Sequence, residues 1–236
     1  MPSRDDPEPG HLMASAGDSE LYFRQLAVGP MANFVYLIGD RAAATCLVVD
    51  PAWDVEAIAA AAEADGMTIT GSLVTHYHPD HVGGRAMGFA VPGGIAPMLA
   101  RAPGRIHVNR HEADGVIAVT GVSESDLVRH DDRDRVEVGS VVIELLHTPG
   151  HTPGSQCFLV RDRLVSGDTL FIDGCGRVDL PGGDPEEMRV TLTRRLAAVA
   201  DAVTLFPGHD YGAVPSATMG EQRRSNPYLV QSTGRR

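Results

Sequence analysis

Ile69-Thr70-Gly71-Ser72-Leu73-Val74-Thr75 runs without a linker into His76-Tyr77-His78-Pro79-Asp80-His81-Val82-Gly83-Gly84. The first half reads as a buried strand, and Pro79 with the paired glycines marks a turn at its end. Three imidazoles and a carboxylate crowded past a strand end have no obvious packing use. Imidazole nitrogen and carboxylate oxygen are the ordinary ligands of zinc and related divalent ions. Side chains alternate along an extended chain, so His76 and His78 can point the same way. Asp80 and His81 fall past the turn and can face a neighbouring point. Two adjacent metal positions are the natural reading, with Gly83 and Gly84 letting the backbone bend around them.

Three more positions complete the set. His151 lies in Thr148-Pro149-Gly150-His151-Thr152-Pro153-Gly154, Asp168 in Ser166-Gly167-Asp168-Thr169, and His209 in Pro207-Gly208-His209-Asp210-Tyr211. Each follows a strand-like run (Val141–Leu146, Leu164–Ser166 and Val203–Phe206). Strand ends on one edge of a sheet are where loops gather polar groups over a rigid base. With Asp168 as a bridge, each of two metals would hold four protein ligands and the pair would share a water or hydroxide.

The ordered set His76-x-His78-x-Asp80-His81, His151, Asp168, His209 resembles the metallo-β-lactamase superfamily over about residues 21–225. That resemblance implies an αββα sandwich, two mixed β-sheets packed face to face with helices outside. It also implies His76, His78 and His151 on one metal, Asp80, His81 and His209 on the other, and Asp168 between them. Within the superfamily the chain is most similar to the glyoxalase II and persulfide dioxygenase branch. The carriers are Ser166-Gly167-Asp168-Thr169-Leu170-Phe171, Gly174-Cys175-Gly176-Arg177, Pro207-Gly208-His209-Asp210-Tyr211 and Glu221-x-Arg223-Arg224-x-Asn226-Pro227. The glyoxalase II resemblance implies Arg177 and Tyr211 as candidates for holding the thiol part of a substrate. Cys175, between two glycines near Asp168, reads as a packing or substrate-pocket residue rather than a nucleophile.

The function implied is a dinuclear zinc hydrolase of a thioester or related small molecule, with Asp80 and Asp168 orienting the attacking oxygen and handling its proton. One alternative is a persulfide dioxygenase with a single Fe(II) on His76, His151 and Asp168. Another is a lactonase or β-lactam hydrolase, against which the Gly174–Arg177 and Tyr211 segments argue. The stretch after His209 is expected to be too short for the helical domain that helps glyoxalase II hold glutathione. A glutathione thioester is therefore not secured as substrate, although a low-molecular-weight thiol conjugate remains the expected partner class.

Composition agrees. The chain has 236 residues and a formal charge of −11, which argues against nucleic acid as a partner. No apolar run approaches a membrane span, and the first residues carry no apolar core for a signal peptide. Three cysteines cannot all pair, so a reducing cytoplasm is expected. A homo-oligomer stays open. Residues 1–18, rich in Pro, Asp, Gly and Ser, read as a loose tail before one domain over 19–236.

The remaining pattern predicts strands at Leu21–Val28, Asn33–Ile38, Ala44–Val49, Ile106–Asn109 and Gln156–Val160. Helices are expected at Val55–Ala64, Glu112–Val119 and Met219–Arg224. Asp184-Pro185-Glu186-Glu187 should open another helix, with a capping box, running to about Val199. Residues 85–105 are expected to be a short helix and loops that could lie over the site, and 131–135 a charged turn. Cys46 and Cys157 read as core. His107, His111 and His147 read as structural, surface or supporting residues. His11 and His130 sit in polar segments expected to be exposed. Asp50, closing a strand before Pro51, is placed to brace the His76–His81 loop.

Overall fold

The computed structural model describes residues 20–230; the tail expected over 1–18, with His11, lies outside them. In chain order come β1 (Leu21–Val28), β2 (Asn33–Asp40), β3 (Thr45–Val49), α1 (Val55–Ala64) and β4 (Thr68–Leu73). A one-turn helix α2 (Pro79–Val82), a small hairpin β5 (Gly84–Ala86) and β6 (Phe89–Val91), and α3 (Ile95–Arg101) follow. Next are β7 (Arg105–Asn109), α4 (Ala113–Thr120), β8 (Leu127–His130), β9 (Arg135–Val138), β10 (Val141–His147), β11 (Gln156–Val160) and β12 (Arg163–Gly167). The chain closes with α5 (Pro185–Val190), β13 (Thr204–Pro207), β14 (Ala217–Thr218), α6 (Met219–Ser225) and α7 (Pro227–Val230).

The strands form two six-stranded sheets, ordered β1-β2-β3-β4-β7-β8 and β14-β13-β12-β11-β10-β9. Both are mixed. β3, β4, β7 and β8 run parallel, as do β12 and β13, while the other neighbours are antiparallel. Parallel neighbours need crossovers, and the helices supply them.

β2 is buried along its whole length because both of its faces are covered. Its Phe34, Tyr36 and Ile38 join Leu47, Val49 and Leu73 against Ile143, Leu145, Phe158, Val160 and Val165 of the facing sheet. The alternate residues Val35 and Leu37 point outward to Ile58 and Ala62 of α1 and Met98 of α3. Outside the second sheet, Cys157, Leu164 and Leu205 pack on Met188, Leu192, Leu196 and Met219. Helices, sheet, sheet, helices is the layering the resemblance implied. Each large apolar side chain taken wholly out of water contributes about 1.5–3 kcal/mol.

The helix starts follow local chemistry. Asp54 accepts from Ala57 N at 2.9 Å to begin α1, and Asp184 accepts from Glu186 N at 2.8 Å and Glu187 N at 3.0 Å to begin α5. The reciprocal half of the expected capping box is not formed: the Glu187 carboxylate lies 3.9 Å from Arg195 instead. The regular helix expected to reach Val199 also breaks. It widens to a π turn over Thr191–Arg195 and tightens to a 3-10 turn over Leu196–Ala198. Thr191 Oγ1 donates to Pro149 O at 2.7 Å, tying this segment to the loop that carries His151.

His130 corrects an expectation. It is buried, not exposed, because β8 pairs with β7 and brings its Nε2 to 2.9 Å from His107 Nδ1, with the rings stacked at 5.2 Å. Burial and the neighbouring imidazole push His107 down to about 4, so that ring is neutral at physiological pH. Cys46 and Cys157 are buried free thiols, as expected. Among the described residues no helix is long and apolar enough to cross a membrane.

Candidate metal centre

The site is assembled where strands of both sheets end. After β4 the chain passes through His76 and His78 into α2, which Pro79 opens and Gly83 closes. Gly83 has φ +75°, and a Cβ there would lie 2.2 Å from Gly93 O, so only glycine fits this exit. Across from it, β12 and β13 are parallel neighbours that end on the same edge, which brings Asp168 and His209 together. Gly167 and Gly208 are joined by a 2.8 Å backbone hydrogen bond at that point. The loop after β10 delivers His151. The five imidazoles and Asp80 are buried and Asp168 is nearly so, its side chain 12% exposed.

His81 Nε2 lies 3.2 Å from His209 Nε2, 3.3 Å from Asp80 Oδ2 and 3.3 Å from Asp168 Oδ1. His209 Nε2 is 3.4 Å from both carboxylate oxygens. Four ligands around a tetrahedral zinc, at bonds of about 2.0–2.1 Å, are separated by about 3.3–3.4 Å. The side chains therefore already hold the spacing of a coordination shell. On the other side of Asp168, His151 Nε2 lies 2.9 Å from His78 Nδ1 and 3.5 Å from Asp168 Oδ2. The ligand atoms of His76, His78 and His151 fall within 4.8 Å of one another. His76 Nε2 and Asp168 Oδ1 are buried with no hydrogen bond. Buried polar atoms are rarely left so, and a cation among these lone pairs would satisfy them.

Residues 28–209 match the family model described as the metallo-beta-lactamase superfamily. The chain belongs to that superfamily. It is 29% identical over 197 residues to a probable polyketide biosynthesis zinc-dependent hydrolase, BaeB, of Bacillus velezensis, covering 84% of this chain and 81% of the relative. It is 33% identical over 199 residues to a hydroxyacylglutathione hydrolase of Alkalilimnicola ehrlichii (84% and 70%). It is 27% identical over 212 residues to the mitochondrial persulfide dioxygenase ETHE1 of Bos taurus (89% and 76%). Among solved structures, ETHE1 from Myxococcus xanthus superposes with a TM-score of 0.75 at 29% identity, covering 89% of this chain and 85% of that one.

In this superfamily member nearly every ring is fixed by its far nitrogen. His76 Nδ1 meets Thr75 Oγ1 at 3.0 Å, His81 Nδ1 meets Asp50 Oδ2 at 3.0 Å, His151 Nδ1 meets Arg177 O at 2.6 Å, and His209 Nδ1 meets Met31 O at 2.9 Å. Such bonds choose the tautomer and aim Nε2 at the centre. Asp50 braces the loop as expected, since it also accepts from Thr75 N at 2.8 Å and Thr75 Oγ1 at 2.5 Å. Although Asp50 lies close to His76 and His81, it occupies the far side of the His81 ring and so orients rather than ligates. Asp50→Asn should weaken metal binding by about 10–100-fold, read by zinc titration against a chelating dye. Unchanged affinity would show that the brace is dispensable.

The sequence reading missed Asn33 and Trp53. Asn33 Nδ2 donates to Asp80 Oδ2 at 3.1 Å, and Trp53 Nε1 donates to Asn33 Oδ1 at 2.9 Å. Trp53 takes a left-handed φ of +72° to reach that position. A polar residue opening a strand and an aromatic beside a turn leave no pattern that points to a metal site.

Charge is already arranged for a cation. Burial and the neighbouring imidazoles push His78 down to about 4 and His76 well below its ordinary value, so both offer neutral nitrogen. Burial works against charge on Asp80 and Asp168 too, yet His81 and His209 hold both carboxyls well below the usual range. Burial also opposes a proton on His209, but Asp168 and Asp80 raise it to about 9.

The three candidate substrate residues are placed differently from one another. Tyr211 is 59% exposed and stacks on His209 at 4.6 Å, with Phe171 edge-on to both. Arg177 turns its guanidinium outward to Asp179, both bonds 2.9 Å, and offers the site its carbonyl. Cys175 is half-buried against the helix layer, and burial pushes its thiol up to about 11, which makes it a poor nucleophile. His147 supports the His151 loop from outside, its Nε2 2.9 Å from Pro153 O.

Proposed function

We propose that this chain is a dinuclear metallohydrolase, zinc-loaded, acting on a thioester or related small molecule of the low-molecular-weight thiol class. The observation that carries the reading is Asp168 itself. One of its oxygens completes the spacing of Asp80, His81 and His209, while the other faces His151. His76, His78 and His151 would hold one ion and Asp80, His81 and His209 the other.

A divalent pair bound there supplies a water acidified from a pKa of 15.7 towards about 7 and a Lewis acid for the substrate carbonyl. The protein's share is orientation. Asp80, steered by Asn33, and Asp168, held between two imidazoles, would be the carboxylates that accept hydrogen bonds from that water and orient it. A thiolate leaves without strong protonation, which lightens the demand on any general acid. Tyr211 offers an exposed ring and phenol to a substrate approaching over His209.

A second reading is favoured by Gly174-Cys175-Gly176-Arg177 and by the likeness to the Myxococcus xanthus ETHE1 structure. It is a mononuclear Fe(II) persulfide dioxygenase on His76, His151 and Asp168. Metal analysis after anaerobic purification, paired with thioester cleavage and persulfide-dependent oxygen uptake, separates the two. The first reading expects two zinc ions per chain and thioester cleavage. One iron per chain with oxygen consumption would replace it with the second.

A further inference from the structure

Glu112 precedes α4, but its side chain does not cap that helix; it turns inward and the residue is 1% exposed. No cation pairs with it among the described residues. Instead three donors converge on the carboxylate. Tyr77 N–H at 3.0 Å and the Thr152 hydroxyl at 2.6 Å share Oε1, and Gly154 N–H at 2.8 Å takes Oε2. The fit is close: a Cβ on Gly154 would lie 2.5 Å from Oε2. Tyr77 stands between His76 and His78, and Thr152 follows His151. Both oxygens are thus committed to the two peptide segments that carry the His76–His78–His151 group, one leaving β4 and the other leaving β10 of the facing sheet.

We infer that Glu112 is a positioning residue that clamps these two segments together and so sets the metal affinity of the His76–His78–His151 position. This rests on the metal-centre reading proposed above. A buried carboxylate without a counter-ion is costly to the fold. Burial pushes Glu112 up to about 7 even though all three hydrogen bonds pull it down. The carboxylate is nevertheless the one group of its size that accepts on both oxygens. An amide accepts on one only and turns its NH2 towards a donor. The network continues behind Thr152, whose backbone N–H donates to Ser155 Oγ at 3.1 Å and whose hydroxyl lies 2.7 Å from it. That network gives the loop one arrangement rather than several.

The test is Glu112→Gln in the full chain, purified metal-free and titrated with Zn²⁺ against a chelating dye. Beside it stand Thr152→Val, which removes one donor, and Thr152→Ser, which restores it. The expected result is a loss of about 10–100-fold in one zinc-binding step with the other step at the parent value. The metal-free melting temperature should stay within about 3 °C of the parent. Thr152→Val should lose affinity in the same step and Thr152→Ser recover it. Parent affinities in both steps for Glu112→Gln overturn the inference. So does an equal weakening of both steps together with a fall in the metal-free melting temperature, the mark of a general packing role. A parent chain that takes up no zinc sinks the metal-centre reading itself, and the clamp with it.

Discussion

Asp168→Asn is expected to strip the protein of its shared ligand and lower turnover by more than about 100-fold, beyond the usual effect of losing a residue that merely supports a ligand. The side chain keeps its volume but loses its charge and one acceptor oxygen. Its amide nitrogen must then face either His151 Nε2, now 3.5 Å from Oδ2, or the His81 and His209 nitrogens, now 3.3 and 3.4 Å from Oδ1. Elemental analysis should show fewer ions per chain than in the parent. A stability readout follows by mass action: metal at 100 times its Kd adds about 2.7 kcal/mol to the parent. For a chain of this size that is about 5–10 °C of melting temperature. Chelation should remove that increment from the parent and change Asp168→Asn far less. Parent-level metal and turnover in the variant would leave Asp168 without the bridging role.

The second large effect comes from a residue that touches no metal. Gly176→Ala would set a Cβ 1.9 Å from the backbone oxygen of Asp168 and 3.1 Å from His151 Nδ1. The first contact is with main chain and cannot be relieved by a rotamer change, so the strand end or the 174–177 turn must move. Displacements of about 1 Å at a reacting centre cost up to about 10²-fold in rate, and the loss should appear in kcat/KM with zinc content reduced. Gly66→Ala is the control. It also meets a glycine-only backbone, with φ +72°, but a Cβ there has nothing within 4 Å. It should cost about 1 kcal/mol of stability and leave catalysis intact. Equal activity in the two variants would show that the 174–177 turn yields freely.

The longer strands, the helix starts and the candidate ligands were legible in the sequence because they rest on strong local signals, while the layering followed from the family resemblance. Apolar-rich runs in Asn33–Ile38 and Val141–Leu146, caps at Asp54 and Asp184, and strand-ending His and Asp all carry their reason within a few residues. What escaped has the opposite character. β5, β6, β8 and β9 are three or four residues long, too short for a period to emerge. His130 looked exposed beside its acidic neighbours, and only the pairing of β8 with β7 buries it. Glu112, Asn33 and Trp53 matter through partners 35 to 42, 47 and 20 positions away. A helix-opening glutamate and a strand-opening asparagine carry no trace of those partners.

Neither sheet holds a complete ligand group. Residues His76 to His81 leave the first, and His151, Asp168 and His209 leave the second. On a growing chain the His76–His78–His151 group is therefore incomplete until the loop after β10 is made, and the Asp80–His81–His209 group until His209 follows β13. Loading belongs to the finished molecule. Ions seated there would act as rivets across the two halves of the sandwich, so a shortage of metal would show first as a softer, more readily degraded chain and only second as an idle one.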